Sequence, residues 1–176
     1  MKYALFFFLI VSFSSVAQVQ LPTNELGQVQ YQELVRVPDS KRPARQLMEQ
    51  VRAWANQFYP QASEAEQQFD QEHNILFVRT FYEIGKQSVR YTLTIETKFG
   101  RYRATLTDLI VDDNGRTQPV RATSSTVEEM AAAADKSLKN RDLLEQIVAD
   151  QTSLYQQIDK SCRSTLASLK KVMTTE

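Results

Sequence analysis

His73 is the only histidine in this chain of 176 residues, and it falls in the turn Glu72-His73-Asn74. A catalytic or metal-binding histidine needs partners that converge on it, so a solitary turn histidine reads as a solvated side chain. Multi-histidine zinc sites are excluded, and no helical His-Glu-x-x-His pattern occurs. Cys162 is the only cysteine, so no disulfide can form within the chain. It lies on an apolar helical stripe without a cationic cluster beside it, which describes a small hydrophobe rather than an activated thiolate. The glycines are Gly27, Gly85, Gly100 and Gly115, each at a predicted turn or boundary, and no phosphate-cradling loop can be built from them. Asp112-Asp113-Asn114-Gly115 resembles a calcium loop only until it is aligned. With Gly115 at the sixth position, Ile110 and Arg121 occupy the first and twelfth, where carboxylates are required. Glu64 and Glu66 share a strand face and read as an edge kept soluble. No metal or cofactor is expected, and an enzyme has no affirmative support.

Charge and address narrow the partners. Lysine plus arginine total 21 and aspartate plus glutamate also total 21, a balance without long-range attraction for nucleic acid or anionic lipid. Nucleic acid is therefore not an expected partner. Met1-Lys2-Tyr3 carries one positive charge, Ala4 to Phe13 is nearly continuous hydrocarbon, and Ser14-Ser15-Val16-Ala17 supplies small residues. The apolar run is shorter than the ~20 residues of a membrane span, so 1–17 reads as a signal peptide cleaved after Ala17. A periplasmic or secreted protein follows from that reading. No second long apolar run appears, and no membrane span is expected in the mature chain.

The elements that must position any site follow from periodicity. Gln18 to Gly27 reads as an irregular leader and Val29 to Val37 as a strand closed by Pro38-Asp39. Asp39 or Ser40 is expected to cap a helix with Pro43 in its first turn. Leu47, Val51, Trp54 and Phe58 fall on one face of that helix, and Pro60 stops it. Trp54 on this stripe reads as core. Ala62 to Asp70 reads as a weak edge strand, followed by strong strands at Ile75 to Ile84, Gln87 to Thr97 and Arg101 to Val111. Gly85-Lys86 suits a type II′ hairpin turn, Lys98-Phe99-Gly100 closes the next hairpin, and Asp112 to Gly115 is expected to end the sheet. Ser125 and Glu128 carry a capping-box signature. Beyond it Leu144, Ile147, Gln151, Leu154, Ile158, Cys162, Leu166, Leu169 and Met173 form a helical stripe, which Asn140-Arg141-Asp142 can divide into two helices. The division is then 1–17 signal peptide, 18–115 an α+β domain and 116–176 a C-terminal helical extension, able to dock on the sheet or to self-associate.

A two-residue loop at Gly85-Lys86 sets the strand register. It pairs Ile84 with Gln87, Tyr82 with Val89, Thr80 with Tyr91, Val78 with Leu93 and Leu76 with Ile95. The next turn pairs Ile95 with Ala104 and Leu93 with Leu106. Alternation puts this apolar set on one face, under the helices. The opposite face then carries Ile75, Phe77, Arg79, Phe81, Arg90, Thr92, Thr94, Arg103 and Thr105, with Glu96 opposite Arg103. Two phenylalanines among threonines and arginines allow three readings. The C-terminal helix or a loop covers them as core, or they form a patch for a partner or second copy, or they line a small-molecule site.

Gly27-Gln28-Val29-Gln30-Tyr31-Gln32-Glu33, the helix with Trp54, Asp70, Tyr91-Thr92-Leu93-Thr94-Ile95 and Gly100-Arg101-Tyr102-Arg103 occur in an order with a known counterpart. Over Leu21 to Val111 the chain resembles an exported bacterial family, domain of unknown function 4468, whose fold is like that of the TATA-binding protein (TBP). The resemblance implies an α+β, TBP-like β-α-β-β-β-β antiparallel sheet with helices on one face, to which this chain adds its long C-terminal helical segment. It carries over no functional residue, because the family has no established activity, and a shared fold does not imply DNA binding. The leading expectation is a non-catalytic binding or interaction module that meets an envelope protein or small ligand through the Phe77, Arg79, Phe81 and Arg90 face. The alternative is an envelope hydrolase using sheet carboxylates, which requires Asp108, Glu96 and Glu83 to converge.

Overall fold

The computed structural model describes residues 18–60, 66–133 and 140–175. The expected signal peptide, and the part of the expected edge strand that falls in 61–65, lie outside the described residues.

Strand β1 (Tyr31–Arg36) leads into helix α1 (Ala44–Phe58), then come β2 (Gln67–Asp70), β3 (Ile75–Ile84), β4 (Gln87–Lys98), β5 (Arg101–Asp113) and β6 (Arg116–Pro119). Helices α2 (Val127–Ala133) and α3 (Arg141–Thr174) complete the chain. The sheet order is β1-β5-β4-β3-β2, with β6 also paired to β5, and every pairing is antiparallel. This is the expected α+β architecture. The register expected between β3 and β4 occurs at every pair, from Leu76 opposite Ile95 to Ile84 opposite Gln87, as do Ile95–Ala104 and Leu93–Leu106. Gly85 has φ +61° and Lys86 stays at negative φ, as a type II′ turn requires.

Helices α1 and α3 lie side by side on the same face of the sheet. Trp54 Nε1 donates to Ser168 Oγ at 3.1 Å, and Tyr31 OH to Asp159 at 3.0 Å. Between the helices and the sheet lies one core, containing Leu47, Val51, Trp54, Val78, Leu93, Leu106, Ile158 and Leu169. Trp54 is only 3 % exposed and is core, as its stripe indicates.

Several expectations need correction. Asp39 and Ser40 do not cap α1. Asp39 Oδ1 instead accepts from Lys41 N at 3.0 Å in a separate turn, and Pro43 takes the N-cap position without a side-chain hydrogen bond. Phe58 is not on the buried stripe. It is 38 % exposed and stacks on Trp54, while Tyr59 turns inward and accepts a hydrogen bond from Tyr91 OH at 3.0 Å. The capping box lies one residue later than Ser125 and Glu128. Thr126 Oγ1 accepts from Glu129 N at 3.2 Å and Glu129 Oε2 from Thr126 N at 3.0 Å. The division at Asn140-Arg141-Asp142, by contrast, occurs as expected: α2 and α3 are separate helices, and Asn140 caps α3 by accepting from Asp142 N at 3.1 Å. Along the first half of α3 Leu144 is buried as expected, but the next buried positions are Val148, Thr152 and Tyr155 rather than Ile147, Gln151 and Leu154. Tyr155 OH accepts from Arg121 N at 3.2 Å, which ties that helical face to the segment after β6.

The sheet does not stop at Asp112–Gly115. Asn114 and Gly115 both have positive φ, +52° and +85°, the backbone of a type I′ turn, and the chain returns as β6. A boundary between 115 and 116 therefore falls at a hairpin, and residues on both sides of it enter the same core. The leader is also less irregular than expected. Leu21 N donates to Ala122 O at 2.8 Å and Ser124 N to Val19 O at 3.0 Å, burying Leu21 to 2 % exposure.

Candidate functional site

With both long helices on one side, the opposite face of the sheet is covered by no described element. The reading in which the C-terminal helix covers Phe77 and Phe81 is thereby overturned. The α3 stripe points to the other side, where Cys162 Sγ lies 3.9 Å from Tyr82 OH. The polarity of the two faces explains the choice. The inward set Leu76, Val78, Val89, Leu93 and Ile95 is almost wholly inaccessible, whereas the outward set interposes threonines and arginines that gain nothing from a helix above them.

The residues expected on the outward face share it, in cross-strand rows. Phe77 opposes Thr94, which opposes Thr105; Arg79 opposes Thr92; Phe81 opposes Arg90; and Arg103 opposes Glu96. Phe81 is 55 % exposed, while Phe77 is half-buried between its neighbours. Arg90 donates to Asp112 at 3.1 Å, and Glu96 bridges Lys98, at 2.9 Å, and Arg103. The Glu96 carboxyl is held below the usual carboxylate range, foremost by the Lys98 hydrogen bond and then by Arg103, against an opposing effect of burial. The face is therefore polar and hydrogen-bonding, with apolar anchors set into it.

The same face includes residues that sequence reasoning missed. Gln32, Leu34 and Arg36 enter through β1, which pairs with β5 across a large sequence separation, and Leu34 is 62 % exposed. No turn links these two strands, so hairpin counting could not find the row. The bulge at Asp108 is a second omission. Asp108 has φ +55° and is an extra residue on β5 between Thr107, opposite Thr92, and Ile110, opposite Arg90. This β-bulge reverses the alternation, sending Leu109 inward and Ile110 outward. The spacing Leu106, Leu109, Val111 breaks period two and was the available signal.

Elsewhere the chemistry is quiet. Among the described residues no group of three or more histidine, cysteine, aspartate or glutamate side chains could hold a metal. His73 Nδ1 lies 2.8 Å from Asp70 Oδ2 on an exposed turn. The His73 backbone N–H, ahead of the imidazole, holds the Asp70 carboxyl below its ordinary range. Burial pushes the Cys162 thiol up to about 12, against the Tyr82 hydrogen bond and the Arg163 charge, so the sulfur remains protonated and inert at neutral pH. Burial likewise raises Tyr59, Tyr82 and Tyr91, which line one end of the helix–sheet interior. A groove of about 520 Å3 opens there, between Phe58, Phe81, Tyr82, Lys160 and Ser164 at the border of the sheet. The three sheet carboxylates do not converge. Glu83 opposes Ser88, near the far end of β4 from Glu96, about 27 Å away at ~3.4 Å per residue. Asp108 sits at the bulge between them.

No family model and no curated sequence matches this chain. Two solved structures are similar in shape. A TBP-like protein from Parabacteroides distasonis ATCC 8503 superposes with a TM-score of 0.60 at 13 % identity, covering 86 % of this chain and 96 % of its own. A DUF4468 family protein from Bacteroides ovatus ATCC 8483 gives 0.49 at 10 % identity, over 89 % and 91 % of the two chains. At such identities the first likeness speaks for the fold, which is TBP-like as the sequence motifs implied. No described helix is long and apolar enough to cross a membrane.

Proposed function

We propose that this protein is a non-catalytic binding module that acts after export and receives a partner protein on the uncovered face of its sheet. One observation carries the reading. Phe81 and Leu34 are more than half exposed on a face where Thr92, Thr94, Thr105 and the arginines offer unspent hydrogen-bonding capacity. Apolar anchors within a polar surround are the ordinary composition of a contact surface. The separated carboxylates and the protonated thiol favour binding over hydrolysis. The TBP-like fold adds an architecture with a helix-free sheet face but no ligand.

Site-specific photo-crosslinking tests this reading in cells producing the full chain. A photoreactive residue at Phe81 or Thr92 is expected to yield a discrete protein adduct. The same residue at Lys171, on the outer side of α3, is expected to yield none. No adduct at either sheet position, or an adduct only at Lys171, overturns the reading. Phe81→Ser is expected to leave the melting temperature within a few degrees, because a half-exposed side chain contributes little to the core.

A further inference from the structure

At the end of the uncovered face near the Phe99-Gly100 turn, Arg36 lies directly opposite Arg101, and Arg101 directly opposite Lys98. One row inward, Leu34 opposes Arg103, which opposes Glu96. All four cations are exposed. Like charges directly across a ladder destabilise it, and here two such pairs adjoin. Glu96 divides its carboxylate between Lys98 and Arg103, and among the described residues neither Arg36 nor Arg101 has a salt bridge. Four cations against one carboxylate leave three positive charges uncompensated in a chain whose formal net charge is +0. Leu34 lies among them and, with Gln32, Glu96, Lys98, Arg101 and Arg103, lines a depression of about 200 Å3, next to which Arg36 stands opposite Arg101.

We propose that this end of the face seats an acidic segment of the partner, with carboxylates on Arg36 and Arg101 and an aliphatic side chain against Leu34. The inference rests on the binding-face reading and adds the chemistry of what is bound. Guanidinium groups take carboxylates in paired hydrogen bonds, so two arginines side by side specify acidic side chains rather than a diffuse negative field. A recessed floor with one aliphatic residue admits an extended chain and suits a planar bilayer poorly. The overall charge balance does not oppose this, because at physiological salt attraction operates within about 8 Å and is decided by the local cluster.

The test uses the chain from Gln18 to Glu176 and a short fluorescent peptide of glutamates around a central leucine, with its glutamine counterpart as control. The acidic peptide is expected to bind, to weaken about tenfold or more as salt is raised, and to lose about tenfold in Arg36→Gln/Arg101→Gln. That variant should melt no lower than the parent, because it removes a like-charge opposition. Unchanged affinity in the double variant, equal binding of the glutamine peptide, or equal or stronger binding to phosphatidylglycerol vesicles or duplex DNA overturns the proposal. Crosslinking at Phe81 separates the two readings. If adducts persist while the acidic peptide fails, only the charge assignment is lost; if both fail, the face itself is not a binding surface.

Discussion

Tyr102 is 1 % exposed, and its hydroxyl has no hydrogen-bond partner among the described residues. A buried hydroxyl without a partner forfeits its hydration, which costs on the order of 1–3 kcal/mol. Tyr102→Phe keeps the ring and removes the stranded oxygen, so it is expected to raise unfolding stability by about 1 kcal/mol in urea titrations. An equal or larger loss would show that the oxygen is satisfied in solution. Glu96 gives a prediction of pH dependence. Its folded carboxyl is held down by Lys98 and Arg103, so its contribution is complete above the unfolded carboxylate range and drains away as pH falls through the lower folded value. Wild type is therefore expected to exceed Glu96→Gln in stability at pH 7, with the gap closing below about pH 4. Gly100 shows how closely single positions are set. At φ +67°, an added Cβ would sit 2.3 Å from the Ser40 carbonyl oxygen, so the β4–β5 turn and the loop before α1 meet there without room for a side chain.

At the scale of elements, the bulge in β5 carries the most information. Asp108 holds a left-handed backbone that β-branched residues strongly avoid and glycine adopts freely. Asp108→Gly is expected to leave stability unchanged or raise it by up to about 1 kcal/mol, whereas Asp108→Val should cost about 1–3 kcal/mol. If the two substitutions behaved alike in thermal denaturation, the bulge would not be the feature that turns β5. The bulge also separates the two partners of β5, since β1 pairs before it, along Arg101–Leu106, and β6 after it, along Ile110–Asp113. On α3, a stripe of small and medium side chains, from Ile158 through Cys162 to Met173, packs into the chain's own core. The apolar residues it leaves open are Leu143 and Ile147, near its start.

For the whole molecule, the leader is part of the fold. Leu21 is buried and hydrogen-bonded to the segment that follows β6, so a chain beginning at Gln18 is expected to fold fully. One beginning at Thr23 should lose about 2–5 kcal/mol, as for a deleted core leucine. Amino-terminal sequencing of the protein recovered from the envelope or medium is expected to begin at Gln18; recovery from the cytoplasm with Met1 intact would refute export. Local information sufficed wherever neighbours in sequence are neighbours in space. Glycine at the first position of a two-residue turn sets the pairing of β3 with β4, and alternation then assigns Phe77, Arg79 and Phe81 to one face and Val78 and Leu93 to the other. The inward face is settled there because hydrocarbon leaves water whatever element covers it. The Asn114-Gly115 turn and the broken alternation at Asp108 were local signals as well, whereas tertiary structure decided that β1 pairs with β5 and that both long helices settle on the same side. Both of these last outcomes depend on contacts between distant segments, whose free energy no local pattern encodes. The basic row of Arg36, Arg101 and Lys98 exists only through such contacts, since its members come from strands brought together by the sheet.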